Sequence, residues 1–351
     1  MATHDIIVVG ASAGGVEALS AVVADLPTDL PAAILVVLHV SRGRSVLPEI
    51  LTRAGPLPAR HPVDLERLLY GRIYVAPPDQ HMTLEEDRIR LQHGPTENGV
   101  RPAIDPLFRA AARSFGSRTV GVVLTGSLDD GTAGLAAIKE AGGVTIVQDP
   151  REAFASSMPQ SAIDFVEIDH VVPVRQIPVL LSALTKEKAA TRGGDGPHVP
   201  SLQADLGPPR AAVDQGAQPG AASVFACPEC HGTLWETDEG GLLRFRCRVG
   251  HVYSPDSMLA AHTDSVDRAL WAALRSLEER AALTRRMADR ASQRQHHWIA
   301  RAFEERARNA AEHASVVRHL LHNRTSTQVP DHGDAPEIAD PRQLKSVDSK
   351  D

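Results

Sequence analysis

The 351-residue chain is long enough for about two domains of ordinary size. Its hydrophobic fraction of 42% supplies a sizeable core, and its charged fraction of 23% is typical of globular proteins, which excludes a wholly disordered chain. A formal net charge of -7 argues against a strongly basic nucleic-acid-binding protein. An aromatic fraction of 4% argues against a base-stacking surface for single strands.

Targeting signals and cysteine usage predict a cytoplasmic protein. The sequence has no run of 18 apolar residues, so we expect no transmembrane helix and no membrane insertion. No basic segment precedes the first apolar run, so we expect no signal peptide. The three cysteines all lie between residues 227 and 247, and this odd number favours a metal site in a reducing compartment over a disulfide framework.

Composition divides the chain into five segments. Residues 1–186 alternate β-branched runs with Ala- and Leu-rich helical stretches, and residues 187–222 have the Gly, Pro and charge content of a flexible linker. Residues 223–254 contain every cysteine, and residues 255–324 have a helical pattern. We expect the polar tail at residues 325–351 to be disordered.

The first segment predicts a doubly wound α/β fold. Short apolar runs predict buried strands at residues 6–9, 34–38, 120–124 and 144–147. Helical patterns lie between them at residues 16–24, 103–114 and 132–141. Such an alternation favours a mostly parallel sheet covered on both faces, with sites at the carboxyl ends of its strands. Residues 73–76 and 88–91 predict a small antiparallel insertion instead.

The first strand runs directly into the sequence GASAGG at residues 10–15, which fits the G-x-S-x-G turn of a serine nucleophile. Small neighbours let the Ser12 hydroxyl protrude, and the following helix offers free backbone N–H groups to an oxyanion. A dinucleotide loop is a weaker interpretation, because it needs glycine at position 12 and an acidic residue after the next strand. A phosphate loop needs Gly-Lys-Ser/Thr, which is missing here.

Two further polar segments follow the second and third strands. His39 is either a polar cap on its strand or a general base that takes the Ser12 proton. The sequence TGSLDDG at residues 125–131 provides either an aspartate helix cap or the carboxylate that orients His39. If the first two strands are neighbours, Ser12 and His39 meet at one edge of the sheet.

Together these segments resemble the catalytic domain of the CheB family of chemotaxis methylesterases, over about residues 4–186. The other matching pieces are IYVAPP at 73–78 with His81, RPAIDPLF at 101–108, LTG at 124–126, VQDP at 147–150 and SMP at 157–159. The resemblance implies that Ser12 is the nucleophile, His39 the general base and Asp130 the orienting acid. Asp130 is preferred to Asp129 because the family places its aspartate directly before this glycine.

The resemblance also implies the reaction and the partner. Backbone N–H groups near Ala13 and Ser127 would hold the oxyanion, although the family often has methionine where Ser127 stands. The implied reaction removes γ-methyl esters from glutamates of a methyl-accepting chemotaxis receptor or similar signalling helices, with deamidation of receptor glutamines as a second activity. No cofactor is implied for catalysis.

Two departures from the family pattern affect regulation more than chemistry. The catalytic strand begins within the first ten residues, so we expect no receiver domain before it and no control by aspartyl phosphorylation on the same chain. The C-terminal extension is not required by the family. An alternative is therefore a catalytically inactive signalling scaffold whose zinc module and helices bind partners, although all three triad positions keep competent residue types.

The cysteine segment predicts a structural zinc site. Cys227, Cys230, Cys247 and His251 follow a C-x2-C and C-x3-H pattern separated by sixteen residues, which suits tetrahedral zinc in a small ribbon. His231 competes with His251 as the fourth ligand. The ribbon strands are expected near residues 234–235 and 243–246.

The segment's three arginines allow two interpretations. We expect Arg244, Arg246 and Arg248 to form a solvated strand face. The alternative is a surface for an acidic partner, including nucleic acid, against which the negative charge of the chain weighs.

The region that follows predicts a helical hairpin. Apolar residues recur at three- and four-residue steps from Ser265 onward and continue after residues 292–293. Two helices arranged in this way either pack on the ribbon or provide for self-association.

Overall fold

The structure is a computed structural model that describes residues 4–40, 43–187 and 220–326. Packing divides the chain into two units, Met1–His262 and Thr263–Asp351. Nearly all of the predicted linker and of the predicted tail lies outside the described residues.

The first unit contains an α/β domain. Its strands are β1 (Ile6–Ala11), β2 (Ala33–Leu38), β3 (Ala59–Arg60), β4 (Glu66–Arg67), β5 (Arg72–Val75), β6 (His81–Glu85), β7 (Arg88–Gln92), β8 (Thr119–Val123), β9 (Val144–Gln148) and β10 (His170–Val172). Its helices are α1 (Gly15–Ala24), α2 (Leu47–Ala54), α3 (Ile104–Phe115), α4 (Thr132–Glu140), α5 (Ser157–Phe165) and α6 (Ile177–Leu184). Seven strands pair in parallel in the order β10-β9-β8-β1-β2-β5-β3.

Helices cover both faces of this sheet, as the continuous apolar strands predict. Ile7 and Val9 of β1 pack with α1, α2 and α6, whereas Ile6 and Val8 pack with α3, α4 and α5 on the opposite face. All six residues of β1 are buried, so the strand shows no alternation of polar and apolar side chains. The doubly wound α/β fold is confirmed.

The prediction of an antiparallel insertion was wrong for residues 73–76. Residues 73–75 belong to β5, which pairs in parallel with β2, and Ala76 directly follows that strand. The small antiparallel sheet is formed by β4, β6 and β7. Tyr74 of this segment is fully buried, and its hydroxyl accepts a hydrogen bond from the Leu69 N–H at 3.0 Å. A buried tyrosine with a satisfied hydroxyl fits the interior of a parallel sheet.

The cysteine segment forms a second antiparallel sheet within the same unit. Its strands are β11 (Ala221–Ala226), β12 (Thr233–Glu239), β13 (Leu242–Cys247) and β14 (Val252–Tyr253), paired in that order. We call residues 221–262 the cysteine module. Val252 bridges to Glu97 of the α/β domain, and the Asn98 N–H donates to the Val252 carbonyl oxygen at 2.7 Å.

Two long helices follow, α7 (Pro255–Gln293) and α8 (His297–Ser326). The first begins at Pro255, the first residue of the segment that has a helical sequence pattern. Ser254 caps it, since its hydroxyl oxygen accepts a hydrogen bond from the Ser257 N–H at 3.0 Å, and Pro255 suits the first helical position. In the second unit, Leu274, Ala314 and Leu321 are buried between the helices. Within the described ranges, each helix is too short or too polar to cross a lipid bilayer.

Candidate active site

Ser12 and His39 lie at the carboxyl ends of two adjacent strands. Ala11 pairs with Leu38, so the next residue of each strand leaves the sheet at the same point. The Ser12 hydroxyl lies 3.1 Å from His39 Nδ1. Gly14 opens α1 with a φ of 72°, a left-handed conformation that glycine adopts without strain and that lets the chain turn sharply after Ser12.

His39 joins Ser12 to Asp130, which follows strand β8. His39 Nε2 lies 2.7 Å from Asp130 Oδ2. Because a neutral imidazole has one donor and one acceptor nitrogen, Nε2–H donates to the carboxylate and Nδ1 accepts from the Ser12 hydroxyl. The two ring nitrogens have exchanged the roles they have in the serine-protease triad, and the proton path is equivalent.

The Asp130 carboxylate is held at the amino end of α3. Its oxygens accept hydrogen bonds from the backbone N–H groups of Ile104 at 2.8 Å and Asp105 at 3.1 Å, and from Asn98 Nδ2 at 3.2 Å. Burial raises the pKa of Asp130, but the hydrogen bond and charge of His39 and the two amides outweigh burial and lower this pKa to about 2. The group is therefore a carboxylate at neutral pH.

The loop at residues 125–127 packs closely against Ser12. A side chain on Gly126 would place its Cβ 2.9 Å from the Ser12 Cβ, so this close approach requires glycine. The Thr125 hydroxyl donates to the Ala13 carbonyl oxygen at 2.8 Å and fixes the two turns together. Within the part of the chain that the structure describes, the N–H groups of Ala13 and Ser127 donate to no protein acceptor.

The neighbouring Asp129 has a different partner. Its Oδ1 accepts a hydrogen bond from the Ser254 hydroxyl at 2.7 Å. Burial raises the pKa of Asp129, in contrast to the lowered pKa of Asp130. Of the two adjacent aspartates, Asp130 faces His39 and Asp129 faces the cysteine module.

The prediction that the arginines form a solvated face was wrong for Arg244 and Arg246, which are both buried. Arg244 is 1% exposed and donates through Nη2 to Asp105 Oδ2 at 2.8 Å, while Arg246 Nη2 lies 3.5 Å from Glu239 Oε1. Arg244 and Arg246 alternate with other residues along β13, so they share one face, and that face meets carboxylates instead of water. Arg248 is exposed.

The residues around Asp130 escaped the sequence reasoning. Asp105 lies in a segment that matches the family, so the resemblance marked it as a candidate residue near the site. Nothing in the sequence indicated that it contacts Arg244. The sequence carried no signal for Asn98. Its contacts depend on how the cysteine module packs against the loop before α3.

A second site brings together Cys227, Cys230, Cys247 and His251, whose ligand atoms all lie within 4.8 Å of one another. The Cys230 and Cys247 sulfurs are 3.6 Å apart, and His251 Nδ1 lies 3.5 Å and 3.4 Å from the sulfurs of Cys227 and Cys247. His251 Nε2 faces Glu229 Oε2 at 3.3 Å. This group can hold a metal ion, and His231 is not part of it.

The chain is similar to several known proteins. It is 40% identical over 183 residues to a protein-glutamate methylesterase/protein-glutamine glutaminase of Anaeromyxobacter dehalogenans, covering 52% of this chain and 54% of that protein. It is 35% identical over 191 residues to a protein of Leptospira interrogans described as a possible enzyme of the same name, covering 54% of this chain and 99% of that protein. The chain thus spans about half the length of the first relative and nearly all of the second.

The chain is also similar to a protein of known structure. The Thermotoga maritima CheB methylesterase catalytic domain is 34% identical, with a TM-score of 0.50, over 51% of this chain and 98% of that chain. The family model described as CheB methylesterase matches residues 7–181, which carry Ser12, His39 and Asp130. The chain belongs to the CheB methylesterase family.

Proposed function

We propose that the chain is a protein-glutamate methylesterase, a carboxylic ester hydrolase in which Ser12 is the nucleophile. The observation that carries the proposal is the continuous hydrogen-bonded path from Ser12 through His39 to Asp130 at one edge of the sheet. The names of the relatives support the substrate class, because they join methylesterase and glutaminase activity on protein side chains.

The first half of the reaction acylates Ser12. His39 Nδ1 takes the hydroxyl proton while Oγ attacks the γ-carbonyl carbon of a glutamate methyl ester. The N–H groups of Ala13 and Ser127 donate to the oxyanion of the tetrahedral intermediate. That role is supported by the finding that neither N–H has an acceptor among the described residues. The imidazolium then returns its proton to the departing oxygen, and methanol leaves.

The second half regenerates the serine. A water molecule gives a proton to His39 and attacks the acyl carbon, after which the imidazolium returns that proton to the departing Ser12 oxygen. The product side chain leaves as a carboxylic acid and loses its proton to solvent. A glutamine side chain follows the same path with ammonia as the leaving group. These proton transfers use only the side chains and amides named here, so no cofactor is assigned to catalysis.

Asp130 orients the imidazole and stabilises its cation. Its pKa of about 2 keeps it ionised through both halves of the reaction, so it does not take the proton itself. Because Asp130 is buried behind His39, its negative charge attracts the imidazolium more strongly than it would in water.

The proposed substrate is the helical signalling region of a methyl-accepting chemotaxis receptor or a similar protein, in the cytoplasm. Exposed apolar side chains lie beside the nucleophile turn and in the loop after β8: Phe154 packs against Gly14 yet is 83% exposed, and Leu128 of that loop is also exposed. Such side chains suit contact with a protein substrate better than with a small ester. Three free thiols in one cluster fit a reducing compartment.

We further propose that the cysteine module binds structural zinc through Cys227, Cys230, Cys247 and His251. Tetrahedral zinc with Zn–S bonds of about 2.3 Å separates its sulfur ligands by about 3.8 Å, close to the 3.6 Å between Cys230 and Cys247. The carboxylate of Glu229 beside His251 Nε2 fits the usual partner of a metal-bound histidine. Four protein ligands leave no open position for substrate.

Methanol release from methylated receptor cytoplasmic fragments tests the proposed activity. The full chain should release methanol, and Ser12→Ala should lower the rate by about 10⁴- to 10⁶-fold. Ser20→Ala is the matched control, because its hydroxyl donates to the Val16 carbonyl oxygen inside α1. Equal release by the wild type and Ser12→Ala would contradict the proposal.

A further inference from the structure

A buried charge cluster lies behind His39 and is built by two parts of the first unit. The α/β domain contributes Glu97, Asn98, Asp105, Asp129 and Asp130, and the cysteine module contributes Arg244, Ser254 and Ser257. All of these residues are buried. The cluster therefore exists only while the two parts remain packed together.

Arg244 connects the cysteine module to the turn that carries Asp130. Its Nη2 donates to Asp105 Oδ2, while Asp105 Oδ1 accepts hydrogen bonds from the N–H groups of Gly131 at 3.0 Å and Gly134 at 2.7 Å. Asp105 thus holds the residue next to Asp130 with one oxygen and Arg244 with the other. A shift of Arg244 would move the carboxylate that fixes this turn.

Asn98 provides a second connection. Its side-chain oxygen accepts hydrogen bonds from the Ser254 N–H at 3.1 Å and the Ser257 hydroxyl at 3.0 Å, and Arg244 Nη1 lies 3.4 Å from it. Because these donors occupy the oxygen, the amide nitrogen is turned toward Asp130 Oδ1. The cysteine module therefore sets which end of Asn98 faces the triad acid.

The charge balance of the cluster depends on Arg244. Arg109 forms two hydrogen bonds with Glu97, each 2.8 Å long. The carboxylates whose charges act on the Arg244 guanidinium are those of Asp105, Glu97, Asp129 and Glu239. Burial raises the pKa of Asp105 to about 7 even though Arg244 opposes the shift. Loss of this cation would leave buried carboxylates uncompensated.

The same module contains the metal-ligand group. Glu229, which faces His251, accepts hydrogen bonds from the Tyr253 hydroxyl at 2.9 Å and from the Thr96 hydroxyl. Thr96 lies two residues before Asn98, and Arg244 lies three residues before Cys247 on the same strand. The ligand group and the triad acid are thus joined by two short connections, one along the buried residues 244–247 and one through the exposed Glu229.

We propose that the cysteine module is a built-in part of the active site, in which Arg244 is a positioning residue that holds Asp130 against His39 through Asp105 and Asn98. This inference rests on the proposed function for its kinetic consequences. Its structural consequence, a fixed hydrogen bond between His39 Nε2 and Asp130, can be measured without any substrate.

The first test follows the low-field proton resonance of the His39 Nε2–H in the full chain, assigned by its loss in His39→Gln. Arg244→Met should shift or broaden this resonance and lower kcat by about 10²-fold with little change in KM, because misplacement of a reacting group costs that much. Arg248→Met, which changes the exposed arginine of the same module, should alter neither. An unchanged resonance and kcat in folded Arg244→Met would overturn the proposal.

A double variant separates positioning from general destabilisation. Asp105→Asn removes the charge that Arg244 balances while keeping the Oδ1 that accepts from Gly131 and Gly134, so Asp105→Asn with Arg244→Met should recover the resonance and much of kcat. If Arg244→Met alone does not fold, the same measurements are made on the double variant and on Arg244→Lys. Full wild-type resonance and kcat in Arg244→Lys, which lacks the guanidinium fork, would contradict the positioning role.

Metal removal provides an independent test of the same proposal. Chelation of the metal from the full chain should perturb the same His39 resonance, and added zinc should restore it. A resonance that survives complete metal removal would show that the module does not position the acid. If the resonance responds but methanol release never depends on Ser12, the proposed function fails while the positioning inference stands.

Discussion

Arg244 and Asp105 form an ion pair with Nη2 and Oδ2 2.8 Å apart, although 139 positions separate them in the sequence. Neither residue is more than 1% exposed. The family match ends at residue 181, so the cation lies outside the matched region and the carboxylate lies inside it. The surroundings of Asp130 are therefore completed by a part of the chain that the family match does not include.

Replacing Asp130 by asparagine should lower kcat for methanol release by about 10³- to 10⁴-fold. The Asp130 oxygens accept four hydrogen bonds, and an amide NH₂ would have to face at least one of those donors. The asparagine would also favour the wrong tautomer of His39. Asp129→Asn is the matched control and should lose far less activity, because Asp129 faces Ser254. Equal losses in both variants would show that Asp130 is not the orienting acid.

The low pKa of Asp130 makes stability depend on pH in acid. The pKa is about 2 in the folded chain against 3.8 without perturbation, so the ionised group stabilises the fold above about pH 4. That contribution, roughly 2 kcal/mol, should disappear as the pH falls from about 4 to about 2. Urea unfolding of the wild type and Asp130→Asn at several pH values measures it.

The difference between those two proteins isolates the effect of Asp130. Asp105 acts in the opposite sense, because burial raises its pKa to about 7 and its contribution is lost as the pH rises toward that value. A stability difference that stays constant between pH 5 and pH 2 would contradict the assignment of a low pKa to Asp130.

The cysteine module should bind one zinc ion per chain, measured by elemental analysis of the purified protein. Cys247→Ser should abolish stoichiometric binding and destabilise the β11–β14 sheet, because so small a sheet depends on its metal. His231→Ala is the matched control and should keep its zinc, since His231 lies outside the ligand group. Zinc loss in His231→Ala with retention in His251→Ala would reverse the ligand assignment.

Phe154 should contribute to substrate binding. Phe154→Ala should raise KM for a methylated receptor fragment by about tenfold, equivalent to about 1.4 kcal/mol of contact, with kcat nearly unchanged. Phe165→Ala removes another exposed aromatic ring at the far end of α5 and should leave KM unaltered. An unchanged KM in Phe154→Ala would remove this residue from the proposed receptor contact.

The sequence predicted the elements whose signals are local. Residues 6–9 and 34–38 are continuously apolar because both faces of the sheet are covered, and Ser12 and His39 are the first polar side chains after each run. This pattern predicted the strands and the residues that leave them. Asp130 could be preferred to Asp129 only through the family resemblance, because both aspartates follow the same strand.

Features that depend on packing between distant segments escaped prediction. Arg244 alternates with apolar residues along β13, a pattern that usually indicates a solvated face, and only the carboxylates of the α/β domain reverse it.

Covalent labelling with a fluorophosphonate tests most directly the central claim that His39 and Asp130 activate Ser12. Peptide mass mapping of the labelled full chain should find the phosphonyl group on Ser12, and His39→Ala should abolish the label while Ser20→Ala retains it. Labelling that is absent from Ser12, or that proceeds equally well without His39, would contradict the account.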